Sequence, residues 1–241
     1  MPLVPRLPQA VPLAVLAALA LAAMPLIAGC DALGKVGAGA HNPAASSFTV
    51  PGRVTAVIIK GGSGSVDVTG TAKSVVAVSQ HLSYSNKPPV VSHALNGTTL
   101  TLSYTCPTQL VCGVGYNVQV PRGTAVSVST TAGSVTLTSL AGTLSARADA
   151  GLITAVDLRS AVAVFNSNAG GVVATFSAAP RSLSASTNVG PITLTVPGSA
   201  GYLVSTHTLV GSSTVTVHRS SSTAHSITAR SDLGSISVNP S

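Results

Sequence analysis

The chain contains no tryptophan and no glutamate, only three Phe and four Tyr among 241 residues, and just 7% charged side chains. Each shortage closes a route. Nucleic-acid binding draws on clustered Lys and Arg, with aromatic rings on which bases stack. Here the cations stand singly, as at Arg53, Arg122 and Arg181, so no nucleic-acid partner is expected. Acid–base chemistry on sugars needs two carboxylates held at a fixed separation. Beyond Asp31 the chain offers only Asp67, Asp149, Asp157 and Asp232, spread along its length, with no acidic cluster to hold calcium. No GxSxG elbow activates a serine. His81, His93, His207, His218 and His225 are dispersed, and His207 falls in a repeat column with Arg147, Asn166 and Arg230 that should face solvent. The expectation is a protein without catalytic residues, cofactor or metal. The shortage of large side chains also argues against a sandwich, whose two sheets are normally held apart by bulky residues. The formal net charge of +7 allows weak long-range attraction to anionic envelope polymers or lipid head groups.

What the chain does have begins with a leader. After the single charge Arg6, residues 7–29 carry no charge and end in Ile27-Ala28-Gly29-Cys30. The small residues before the cysteine resemble a bacterial lipobox, so residues 1–29 read as a lipoprotein signal peptide and Cys30 as the lipidated first residue of the mature chain. A membrane-spanning anchor is the rival reading, weakened by Pro12 and Pro25 within the apolar run. A diacyl-bearing cysteine would make the membrane itself a partner, since two acyl chains hold a protein stably where one does not. Residues 30–47 are mostly Gly, Ala, Ser and Pro without strand alternation, and read as a flexible tether.

From Phe48 to Ser241 the sequence is β-branched and small, broken by turn residues. Strands are expected at residues 55–60, 65–69, 74–82, 98–104 and 116–120, with breaks at Gly61-Gly62, Asn96-Gly97 and Pro121 to Gly123. No stretch carries a helical period. The latter half repeats. Gly133, Gly151, Gly170, Gly190, Gly211 and Gly234 recur every 18 to 23 residues, with Gly64 an outlying seventh. Two residues after each of the six stand Val135, Ile153, Val172, Ile192, Ser213 and Ile236; seven before stand Val126, Leu144, Ala163, Leu183, Val204 and Ile227. A fixed period near twenty with two-residue alternation inside each copy predicts an all-β solenoid, a parallel β-helix-like stack preceded by an N-terminal β region. Asp149, Asn168, Asn188 and Asp232, each two residues before its glycine, should form surface turns with side-chain oxygens accepting from nearby backbone N–H groups. The glycines should supply positive φ. The fifth copy departs, with Leu209 in the turn column and Ser213 in an inward one, and is expected to carry a bulge or an extra loop. Ile192 and Leu194 of the fourth copy should stack between the third and fifth.

Cys106 and Cys112, in CPTQLVC, have five residues between them. In an exported chain such a pair predicts a disulfide; metal binding is the alternative and lacks a CxxC unit or a nearby histidine.

The stretches VTAVIIKGGSGSVDVTG, NGTTLTLSYTCP and YNVQVPRGTAVSVSTTAGSVTL, with the later Gly-centred copies, resemble the DUF4097 family of adhesin-like proteins, the toast-rack β-strand repeats. The resemblance spans residues 48–241. It implies a repetitive β-solenoid-like fold on exported, often membrane-attached bacterial proteins, and it supplies no catalytic residues. The reading is a non-catalytic, lipid-anchored protein of the extracytoplasmic face, an adhesin or surface scaffold that contacts an envelope polymer or another membrane protein. A regulatory partner of an envelope-stress system and, less well supported, a polysaccharide-active enzyme are the alternatives.

Overall fold

The computed structural model describes residues 42–108 and 111–241. The leader, Cys30 and the tether as far as His41 lie outside these residues. Every regular element described is a strand. The N-terminal region contributes β1 (Asn42–Val50), β2 (Ala56–Lys60), β3 (Val66–Thr71), β4 (Val76–Tyr84), β5 (Val90–Asn96), β6 (Thr99–Thr105) and β7 (Cys112–Pro121). The six repeat copies supply two strands each. They are β8 (Ala125–Ala132) with β9 (Val135–Thr138), β10 (Leu144–Ala150) with β11 (Ile153–Leu158), and β12 (Val162–Ala169) with β13 (Val172–Phe176). The remaining three are β14 (Ser182–Val189) with β15 (Ile192–Val196), β16 (Leu203–Val210) with β17 (Ser213–Val215), and β18 (Ser226–Leu233) with β19 (Ile236–Pro240).

Each copy is one rung: its first strand joins one sheet, a glycine corner follows, and its second strand joins the facing sheet. We call the sheet of second strands the A sheet, ordered β1-β4-β7-β3-β9-β11-β13-β15-β19-β17, and its partner the B sheet, ordered β16-β18-β14-β12-β10-β8-β2-β6-β5. β2–β3 and β6–β7 are two further rungs, so eight in all are stacked in both sheets. At about 4.8 Å per strand the eight span roughly 34 Å. Pairing within the rungs is parallel, and antiparallel strands occur only at the N-terminal end, where β4 and β1 extend the A sheet and β5 the B sheet.

Alternation decides what is inside. Val135, Ile153, Val172, Ile192 and Ile236 form one buried column and Val126, Leu144, Ala163, Leu183 and Ile227 another. Size is complementary along a third: Phe165 stands between Ala146 and Ala185, which give the ring its room. That fit between neighbouring rungs keeps the interior close-packed.

Two expectations are corrected. The chain is already strand at Asn42, inside the segment read as a tether to Ser47: β1 pairs with β4 from Asn42↔Tyr84 to Val50↔Val76. Small polar residues with no alternation of their own take strand geometry where an edge offers backbone partners, and here Val50 and Phe48 tie the strand to the core. Secondly, the rungs do not stack in sequence order. Ile192 pairs with Ile236 and Leu194 with Val238, so the fourth copy meets the sixth, and the fifth lies outermost. The composition of the fifth copy explains its place. Ser213 replaces an inward aliphatic and β16 is only partly buried along its length, so this rung cannot be covered on both sides. The sixth, with Ile227, Ala229, Ile236 and Val238 all buried, can. A polar terminal repeat is the usual cap of such an array.

Candidate functional surfaces

The corners are built from backbone geometry first. The six repeat glycines hold φ between +136° and +156°, as expected, and Gly64 joins them at +130°. Each corner also leaves no room: a Cβ on Gly151 would run into the carbonyl oxygen of Gly133, and one on Gly170 into that of Gly151. Asp149, Asn168, Asn188 and Asp232 sit at the ends of strands beside these corners rather than in turns of their own. Asp149 and Asn168 bond sideways along the stack instead of to backbone N–H. Asn168 Nδ2 donates to Asp149 Oδ1 at 2.9 Å, and Arg147 donates to the same oxygen at 3.0 Å.

The residues that lock the corner lie outside the expected turn column. One position earlier than the expected turn column, Thr130, Ser167, Thr187, Thr208 and Ser231 each donate a hydroxyl to a corner-glycine carbonyl of the neighbouring rung, at 2.7–3.0 Å. Gly62, Gly151, Gly170, Gly234 and Gly190 are the acceptors. The signal was present in the sequence as a hydroxyl three residues before the glycine in every copy but the second, where Ala148 stands.

Cys106 and Cys112 are disulfide-bonded, with Cα atoms 5.9 Å apart. They close the corner between β6 and β7, the outermost rung at the N-terminal end. Nearby, Tyr104 donates its hydroxyl to Ser63 O at 2.8 Å and accepts from the Gly62 N–H. The Tyr116 hydroxyl is buried without a hydrogen-bond partner, and loss of solvent, with the neighbouring Tyr104 adding to it, pushes its pKa up to about 12. On the far rim the Asp157 carboxyl is held below its usual range by hydroxyls of Ser177 and Ser139.

The histidines do not converge. His93 stacks on Phe48 with ring centroids 4.4 Å apart, His225 Nδ1 lies 2.9 Å from Pro180 O, and His81 lines a cavity of about 370 Å³ with Ser63, Ser83 and Gly115. A cavity of about 690 Å³ lies between Arg53, Val54, Val75, Pro121 and Thr124. Among the described residues no group of three His, Cys, Asp or Glu could hold a metal ion.

The largest continuous features are the outer faces of the two sheets. On the A sheet, two rows run across six rungs. One is Thr136, Thr154, Val173, Thr193, Ser237 and Thr214; the other is Thr138, Val156, Thr175, Thr195, Asn239 and Thr216. On the B sheet the equivalent rows are Ser127, Ser145, Val164, Ser184, Thr228 and Ser205, then Ser129, Arg147, Asn166, Ser186, Arg230 and His207. At the C-terminal end β16 and β17 are both edge strands, and Val189, Leu233, Val210 and Leu209 form an exposed apolar strip beside them.

The fold recurs among solved structures. A putative cell adhesion protein from Clostridium sporogenes matches with a TM-score of 0.51 at 12% identity, over 83% of this chain and all of its own. A putative adhesin from Bacteroides fragilis matches at 0.48 and 16%, over 83% and 97%, and one from Parabacteroides distasonis at 0.41 and 11%, over 84% and 98%. At such identities the likeness establishes the fold alone, and only the first is close enough to argue from. No protein-family model matches the chain, and no curated protein does. The chain thus shares its fold with a protein described as a cell adhesion protein, while the DUF4097 resemblance rests on the stretches of sequence that carry it.

Proposed function

We propose that this chain is a surface protein of the adhesin type, held on the extracytoplasmic side of the cell membrane by lipid on Cys30, and that it binds rather than catalyses. The observation that carries the reading is the stack itself. Eight rungs present two broad, regular outer faces, whereas the histidines and aspartates are scattered over both sheets and their rims. Repetition of this kind multiplies weak equivalent contacts along a surface, which is how a binding scaffold gains avidity. The described name of the Clostridium sporogenes neighbour points the same way. The test uses the full chain expressed in a bacterial host. Wild type should label with radioactive palmitate and confer binding of the cells to envelope polymer or to other cells, and Cys30→Ser should lose both label and cell-surface retention. Unlabelled wild type would remove the lipid anchor, and cells that bind nothing beyond the empty-vector control would remove the adhesin.

One observation favours a protein partner as well. The unpaired edges of β16 and β17, with the apolar strip beside them, suit docking against another membrane protein at the C-terminal end of the stack. Photocrosslinking from Leu209 in cells distinguishes this: a discrete protein adduct supports it, and none speaks against it.

A further inference from the structure

The outer face of the A sheet is a mesh of threonines. Of the twelve outward positions on its six rungs from β9 to β17, eight are Thr, two are Val, and the others are Ser237 and Asn239. None is ionisable. Successive rungs repeat at about 4.8 Å, and alternate residues along one strand at about 6.6 Å, so the hydroxyls and methyls fall on a near-rectangular net. The register is one-to-one from β13 through β15 to β19, and its single slip is at Val156-Asp157 of β11. Ordinary strand propensity does not account for the face, because the same positions on the B sheet are filled with Ser, Asn, Arg and His. Both sheets need residues that suit a half-buried pleat, yet only on the A sheet does a block of twelve outward positions carry no charge, bordered by Asp67 of β3 and Asp157 of β11.

We propose that this face binds an ordered lattice of water, that is, the surface of ice. Three observations select that partner. The twelve mesh positions carry no charge in a chain of net charge +7, with only Asp67 beside Thr136 and Asp157 at the β11 bulge on their borders, which complements a neutral surface and not an anionic polymer or membrane. It carries no aromatic ring, whereas sugar chains are gripped by stacking on aromatic side chains, so a polysaccharide lacks its usual contact here. The hydroxyls are also available: those of Thr136, Thr138, Thr154, Thr193 and Thr195 take part in none of the protein's own hydrogen bonds among the described residues. Each is half-buried by its neighbours and β-branched, so its rotamer is fixed before any partner arrives and little side-chain entropy is lost on binding. Thr offers an acceptor, a donor and a methyl group, and repeated at this spacing it can match the oxygen mesh of an ice face while Val156 and Val173 keep the methyl pattern. The inference is independent of the lipid anchor.

The test is uptake into ice. Fluorescently labelled full-length protein is presented to a slowly growing ice hemisphere, alongside Thr193→Arg at the centre of the mesh and Ser186→Arg at the matching place on the B sheet. Circular dichroism checks that all three share the same fold. Wild type and Ser186→Arg should be incorporated, and Thr193→Arg should be incorporated at least tenfold less. Exclusion of wild type from the ice would overturn the proposal, as would equal uptake of the two Arg variants. Binding of wild type to insoluble cellulose or chitin but not to ice would overturn it in favour of a polysaccharide.

Discussion

The A and B sheets are built from the same eight rungs in the same order, yet they share only their interiors. Inside, both present aliphatic columns of one composition: Val, Leu, Ile and Ala at alternate positions, with Phe165 fitted between alanines. Outside, the A sheet from β9 to β17 is mostly threonine, with Asp157 at the bulge of β11 its one ionisable residue, whereas the B sheet carries serine, asparagine, arginine and histidine. Packing therefore constrains the inward half of each strand and leaves the outward half free, and the free half has gone two ways on two sheets with equal need of strand-forming residues. The interior explains the fold. The difference between exteriors has to be explained by what each face meets.

The largest expected effect tests the division between inside and outside on a single strand. Ile192→Asp places an unpaired carboxylate between Val172 and Ile236 and should cost at least ~3 kcal/mol, whereas Thr193→Asp, one residue on and facing out, should change stability by less than ~1 kcal/mol. Chemical denaturation of both settles it: equal losses would dissolve the distinction between the columns. Because each rung leans on its neighbours, the damage from Ile192→Asp should spread to the third and sixth copies, visible as lost hydrogen-exchange protection there.

A smaller loss is expected at the corner that the two sheets share. Gly151→Ala demands φ near +153° from an L residue and drives a methyl into the Gly133 carbonyl, so a loss above the ~1–3 kcal/mol of the backbone conformation alone is expected. Gly115→Ala, whose Cβ would meet Ser65 O at an ordinary 3.6 Å, should be nearly silent, and thermal melts of the pair would expose any error in the corner geometry. Smaller again is Thr187→Val, which removes the hydroxyl donated to Gly170 O and should cost about 1 kcal/mol. A change as small as that at an exposed threonine would mean the buried hydroxyl column contributes nothing.

Most of the periodic structure was legible because two constraints repeat in register: the glycine that only positive φ explains, and the alternating aliphatics around it. The disulfide was legible from Cys106 and Cys112 alone. What sequence could not show is anything decided between distant segments. The place of the sixth copy between the fourth and fifth depends on comparing how well whole rungs can be buried, and Ser213 marked the fifth as odd without saying that it would lie at the end. Asn42 to Ser47 carries no pattern, and only the edge of β4 makes it a strand. The corner hydroxyls were visible as letters but not as donors, since their acceptors belong to rungs 16 to 68 residues away.

The smallest effect concerns a buried phenol that has no hydrogen-bond partner. Tyr116 keeps its proton in the folded state to about pH 12, against about 10 when unfolded. Its contribution is whole below pH 10 and is lost as pH rises from 10 through 12, because only the unfolded chain ionises there. Tyr116→Phe should flatten the fall in stability over that window in a pH-resolved urea titration, and an unchanged slope would place the phenol in solvent.

Rung order underlies the whole comparison, since both faces and both interiors are read along it. Cysteine pairs on the outer A face report it directly. Thr193→Cys with Ser237→Cys joins adjacent strands, whereas Thr193→Cys with Thr214→Cys is separated by an intervening strand, roughly 9–10 Å between backbones and beyond disulfide reach. Mild oxidation of the folded protein followed by peptide mapping should show the 193–237 crosslink and no 193–214 crosslink. The reverse result would put the fifth copy next to the fourth and contradict the stack described here.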